Sequence, residues 1–356
     1  MKSTFKLSLL VIAVASLTAC GGGGGSDSSA TAPVAKAPVV NPVASESAVI
    51  TPNTLSTTIL ASTYATGSNE QINYDRINQV RLVGGFGTVA QDRGIDMAAL
   101  SHSKYVTTNY YNSKIGEMNL VDPATGWLTA HVEHPTLTGF TGALPMDRIA
   151  AVGRVLTWAG EVASNTNNVS CIDTQLNSVF HRSAVLDTRT QFIGFGLHNA
   201  DMISTSLDTG TGIVTPWVYK RDFCTIEYGA TVSNTVPQSW TGVYPGLNQT
   251  NVPIGMGTEV PNPAVEIAQK GSPVSIYFGG AIGKVDSFTI TASGSSTPTS
   301  VKLIMKKDFP SYLTDNEAHI LPTQFLAKLT TYNVSFKGSL VNGTAVSKDW
   351  SFTTGN

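Results

Sequence analysis

Charge is scarce in this chain. Asp, Glu, Lys and Arg make up only 13% of its residues, and the formal net charge is −2. No stretch is basic, which excludes a phosphate-backbone binder, since such proteins cluster Lys and Arg to release counterions. It equally excludes a polybasic membrane-binding surface. Long apolar runs are scarce too. Apart from Leu9 to Leu17, nothing approaches the roughly 20 residues that a spanning helix needs. Heptads and internal repeats are missing. So is a Gly-x-Ser-x-Gly nucleophile elbow, and no Ser stands where a His would activate it, which argues against a triad hydrolase. The run Gly21 to Gly25 lacks the Lys and following helix of a phosphate loop.

With 41% hydrophobic residues over 356 positions, the chain is expected to form two globular units plus an unstructured segment. Its beginning reads as a secretion signal: Lys2 and Lys6, the apolar run, then Leu17-Thr18-Ala19-Cys20. That ending resembles the lipobox of bacterial lipoproteins. The resemblance implies that residues 1–20 form the lipoprotein signal, with the leader cut just before Cys20, and that Cys20 is acylated. The chain would then be lipid-anchored in the cell envelope, at the outer membrane, facing away from the cytoplasm. Each buried acyl methylene contributes about 0.8 kcal/mol, so several chains on one Cys make a stable tether. Of the three cysteines, Cys171 and Cys224 then remain as an even pair in an oxidising compartment and are expected to form a disulfide.

From Gly21 to about Asn53 the sequence is Gly, Ser, Ala, Pro and Val, too poor in large apolar groups to offset its ordering entropy. Residues 21–66 are read as a flexible linker. Helical spacing follows in Ile72, Ile77, Val80, Val83 and in Ile95, Ala99, His102, Val106. Pro145 with Asp147 marks a helix start, and Val169, Ile172, Leu176, Val179 suggest one more amphipathic helix. Strands are expected at Phe192–Leu197, Met202–Leu207 and Trp217–Lys220. Residues 67–242 therefore read as an α+β domain. Residues 243–356 read as a small Ig-like β-sandwich, from runs at Val274–Phe278, Val285–Ile290, Val301–Met305, Tyr332–Phe336 and Trp350–Phe352, with Asn342-Gly343 as a hairpin turn.

The chemistry-bearing residues of the first domain fall in a distinctive order: His131, Glu133 and His134; Gly139-Phe140-Thr141-Gly142 leading to Asp147-Arg148; Gly160-Glu161; Asp173; Asn177-Ser178 with His181-Arg182; and Ile193-Gly194-Phe195-Gly196. This order resembles the bacterial branch of the CAP superfamily, the SCP-like extracellular proteins, over about Gln71 to Thr225. The resemblance implies an α-β-α sandwich in which two His and two acidic residues meet in a cleft. Glu161 matches the Glu of the family's Gly-Glu-Asn motif and His181 the His before Arg. Asp173 falls where the family has Glu. The first His is His131, in a His-x-Glu variant, with His134 as the alternative. Two departures, Val162 in place of Asn and an Asp173 one methylene short, imply an altered cleft.

Two imidazoles with supporting acids suit a divalent cation such as Zn. The alternative is a hydrogen-bonded scaffold without metal. Two functions compete: a monomeric binding module for a metal, small molecule, lipid or peptide, and a metal-assisted hydrolase of protein or cell-wall material with Glu161 as general base. A cleft retained only as a relic is a third reading. An Asp173 turned away from the cleft favours binding. Blander expectations attach to His102, a satisfied core His; to His198 and His319, at sheet edges or loops; and to Arg148 and Arg182, contacting the cleft acids or exposed. Gly194 and Gly196 are expected to allow close helix packing.

Overall fold

The computed structural model describes residues 55–112, 117–118, 130–166, 170–207, 214–232 and 235–356. The leader, Cys20 and most of the expected linker lie outside the described residues. The helices begin and end where local chemistry dictates. In α1 (Asn69–Gly84) the Ser68 hydroxyl accepts the Gln71 N–H, and Gly85, at φ 86°, closes the last turn. A short strand, β1 (Ala90–Gln91), leads into α2 (Arg93–Asn109), whose cap Asp92 accepts from the Gly94 and Ile95 amides. Strands β2 (Tyr111–Asn112) and β3 (Glu117–Met118) pair with each other. Helix α3 (Pro145–Ala151) opens on proline, with the Asp147 carboxylate accepting the Leu144 N–H at 3.0 Å.

After β4 (Trp158–Thr166) the amphipathic helix expected up to Val179 ends early, at Leu176, as α4 (Cys171–Leu176), and a separate helix that was not expected, α5 (Phe180–Val185), follows. The early end has a visible cause. The Glu259 carboxylate takes the amides of Val179, Phe180 and His181 at 2.7–2.9 Å, so they cannot continue the first helix. Strands β5 (Phe192–Leu207) and β6 (Val214–Ala230) form a long antiparallel pair, and the sheet order is β1-β5-β6-β4. The expected strands at Phe192–Leu197 and Met202–Leu207 are one continuous strand. Successive β5 residues feed different apolar clusters, as a period of two requires. Ile193 and Phe195 join Ile77, Val80, Ile172 and Leu176, whereas Phe192 joins Ile95, Ala98 and Ile149. Helix α2 lies directly against the strand: a Cβ on Gly196 would sit 2.1 Å from the Ala99 carbonyl carbon. A Cys171–Cys224 disulfide joins α4 to β6, a cross-link suited to an oxidising compartment.

The rest of the chain is β-structure. Strands β7 (Thr241–Tyr244), β8 (Gln249–Val252), β9 (Val274–Phe278), β10 (Ile282–Ala292), β11 (Val301–Ile304), β12 (Glu317–Pro322), β13 (Thr331–Leu340) and β14 (Ala345–Thr354) form two sheets, ordered β10-β13-β14-β8 and β11-β12-β9-β7. Both contribute to one apolar cluster that includes Phe278, Ile320, Phe336, Trp350 and Phe352. Gly343, at φ 85°, makes the expected hairpin between β13 and β14. The chain is thus a mixed α+β protein. Strands β4, β7, β8 and β12 were not foreseen, for they are short or carry polar residues in place of alternating apolar ones.

Two expected boundaries shift. The division between residues 242 and 243 falls inside β7, and Tyr244 and Tyr277 join the apolar cluster of α1 and α4. Residues 55–66, assigned to the linker, are bound to the folded body. Ser56 accepts the Thr88 N–H at 2.7 Å, and Tyr64 bonds Asp96 and packs on Tyr74 at 6.1 Å between ring centroids. No helix among the described residues is long and apolar enough to cross a membrane.

Candidate functional site

Strands β4 and β6 place Glu161 and Glu227 directly opposite each other. Two carboxylates in that position repel, and both are buried. Arg148, projected from α3 and fully buried, stands between them: Nε bonds Glu227 Oε1 at 2.6 Å and Nη2 lies 3.6 Å from Glu161 Oε2. The same Glu161 oxygen receives His131 Nδ1 at 3.0 Å. Arg148 also donates to the His131 carbonyl at 3.3 Å, fixing the turn that carries this residue.

A second pair faces the first. His181, on α5, directs Nδ1 to Glu259 Oε1 at 2.9 Å. The two imidazole rings lie 6.4 Å apart between centroids, tilted by 30°. Both His side chains are partly open to solvent, at 31% and 17%, while both carboxylates are sealed. An ionised carboxylate only accepts, so each His carries its proton on Nδ1 and leaves Nε2 as the lone-pair nitrogen of the neutral ring.

The electrostatics follow from burial and partners. For Glu161 desolvation raises the pKa, but the charge and hydrogen bond of His131 outweigh it and the net shift is downward. The Glu161 charge in turn raises His131. Glu259 is also lowered, burial being overcome by its bonds to His181 and the helix amides. Glu227 behaves oppositely. Burial, incompletely offset by Arg148, pushes its carboxyl up to about 7. One oxygen each of Glu161 and Glu227 is buried without a hydrogen-bond partner.

Of the residues singled out from sequence, His131, Glu161 and His181 come together. Asp173 does not belong with them: its carboxylate is taken by Arg76 of α1 at 2.8 Å, and Glu259 supplies the acid beside His181. His134 turns to Thr136, Nδ1 meeting its hydroxyl at 2.9 Å. Glu133 is structural. It accepts from His102 at 3.0 Å and from the Thr141 and Gly142 amides, tying the following turn to α2. Both ring nitrogens of His102 are engaged, by Glu133 and the Ala130 carbonyl, leaving none for a ligand. His198 meets Thr107 at 2.8 Å. His319 is no edge residue: it is buried on the interior strand β12, bonded to Glu317 and Ser275. Arg182 is buried and donates to the Leu176 and Pro273 carbonyls and to Ser275, not to a cleft acid.

Two members escaped sequence reading. Glu227 carried a usable signal, as a charged residue between Ile226 and Tyr228 in a strand whose neighbours are buried. Glu259 carried none, lying in a Pro-marked connection 78 residues beyond His181. Among the described residues, no group of three or more His, Cys, Asp and Glu side chains is placed to hold a metal ion together.

No family model matches the chain, and no curated protein matches it. Among solved structures it is similar to selenomethionine PcoC, a copper resistance protein from Escherichia coli, at 15% identity and a TM-score of 0.21. That alignment spans 32% of this chain and 94% of the PcoC chain. At that score the likeness carries no weight for fold or function.

Proposed function

We propose that this chain is a lipid-anchored, extracytoplasmic protein of the CAP superfamily type. In this reading an α-β-α sandwich precedes an Ig-like β-sandwich, and the His131–His181 cleft serves as a binding module. One observation carries the proposal: two histidines fifty residues apart in sequence lie with their ring centroids 6.4 Å apart, each held in one tautomer by a sealed carboxylate. A single His–acid pair is commonplace in a folded interior. Two converging pairs with their second ring nitrogens left available make a binding arrangement.

A divalent cation such as Zn would find two imidazole donors here, fewer than the three or four of a closed zinc site, and would bind as a labile ligand. His131 and His181 would hold it, with Glu161 and Glu259 as supporting acids and the remaining positions open. Bound there, the cation would supply Lewis acidity to a ligand. The hydrolase reading is the weaker one. Glu161 already accepts from His131, is lowered in pKa and is sealed from solvent, all unsuited to a general base. Asp173, turned to Arg76, also favours binding.

The test is calorimetric titration of the purified protein with Zn. Binding should release protons below neutral pH, because the cation displaces them from imidazole, and His181→Ala should abolish it. Undiminished Zn binding by His181→Ala would refute the metal assignment. For the anchor, Cys20→Ser should move the protein out of the detergent phase; unchanged partitioning would refute lipidation.

A further inference from the structure

We infer that a second site, separate from the histidine cleft, binds a neutral oligosaccharide. A cavity of about 480 Å³ opens where α5 meets the β-sheets, within the range of small-ligand sites. Helix α5 contributes Phe180, Ser183 and Ala184, followed by Asp187, to its lining. These positions share one helical face by their three- and four-residue spacing, whereas His181 lies off that face. Aromatic pairs form the walls: Phe86 with Trp240 at 5.7 Å, Trp158 with Tyr228 at 5.6 Å, and Phe180 with Tyr312 at 5.0 Å between centroids. Tyr312 is 47% exposed and Trp240 is half-buried, so both present ring surface to an incoming ligand.

The charged groups of the cavity are already engaged by partners of their own. Arg189 pairs with Asp187 at 2.6 Å and lies 4.5 Å above the Trp158 ring. Glu317 is saturated by Ser183, His319 and both donors of Thr314. An anionic ligand would find only a neutralised guanidinium, and a cationic one would meet Arg189 on the aromatic face. A purely apolar chain would strip water from the Thr188 hydroxyl and from Arg189 Nη1, the guanidinium nitrogen not turned to Asp187, without replacing it, which costs free energy for each unpaired group. The remaining class is a neutral ring with an apolar C–H face and a rim of hydroxyls. Aromatic walls take the face, while the Arg189 guanidinium donates to the rim and the Thr188 hydroxyl can donate or accept.

The experiment titrates the purified full chain with maltotriose, cellotriose and the N-acetylglucosamine trimer, read by tryptophan fluorescence and calorimetry. At least one should bind and perturb the tryptophan signal. Tyr312→Ala and Trp240→Ala should each weaken it by about tenfold or more. Tyr312 is exposed, so its variant decides the matter if Trp240→Ala fails to fold. His181→Ala should bind the sugar as the parent does, which separates this site from the metal reading. The inference is overturned if none of the three sugars binds at about 10 mM, or if binding survives Tyr312→Ala undiminished. It is equally overturned if palmitate, rather than a sugar, gives a Trp240-dependent signal.

Discussion

The two halves of this molecule treat charge in opposite ways. In the helix-and-sheet half, Arg81, Arg148, Glu133, Glu161 and Glu227 are all buried. In the β half the ion pairs Lys284–Asp286, Lys306–Asp315 and Lys302–Glu266 lie at the surface, over a core built from Phe, Ile, Val and Trp. Buried charge costs several kcal/mol per ion unless it is paired in good geometry. The β half is thus held together by apolar burial, while the first half carries an electrostatic strain concentrated at the histidine cleft. Its exceptions make the same point: Glu317 and His319 are buried at the cavity beside α5, and Glu259 reaches out to His181.

The contrast can be broken most severely at its centre. Arg148→Ala leaves two carboxylates facing each other without a cation and should destabilise the fold by about 3–5 kcal/mol; urea unfolding measures it. Opening the disulfide with Cys171→Ala and Cys224→Ala frees a loop of 53 residues and should cost about 4 kcal/mol by loop entropy, seen as a lower denaturation midpoint with a steeper slope, since the unfolded chain becomes more open.

A finer test uses pH. The Glu227 carboxyl is raised in the folded protein from 4.5 to about 7, so between those values the folded state holds a proton that the unfolded chain has released. Stability should therefore fall as pH rises through that window. Glu227→Gln keeps an acceptor for Arg148 and should flatten the slope; an unchanged slope would point to another group. His131, also raised, contributes stability that is full below its unfolded value of 6.5 and fades as pH rises through its folded pKa. Glu161 and Glu259, both lowered from 4.5, contribute above that value and lose their share on acidification. At the small end, Lys284→Ala breaks a pair whose lysine is 72% exposed and should leave the melting temperature unchanged, since solvent screens such pairs.

What the sequence determined by itself is local. Periodicity announced α1 and α2, and Pro145 with Asp147 announced the start of α3, because both signals are written in residues close together in the chain. Alternation and Asn342-Gly343 announced β13 and β14 for the same reason. Cysteine arithmetic paired Cys171 with Cys224, and residue order brought His131, Glu161 and His181 under suspicion. Everything that depends on distant partners was decided by tertiary structure. Glu259 caps a helix that was not expected and supports His181 from 78 positions away, while Asp173, next to the expected cleft in sequence, is claimed by Arg76 across 97 positions. Glu227 becomes a neutral-range titrating group because the fold buries it and Arg148 offsets that burial only in part. A carboxylate's role follows from which donors the fold delivers to it and how much water it removes, and neither quantity is a property of the neighbouring residues in the chain.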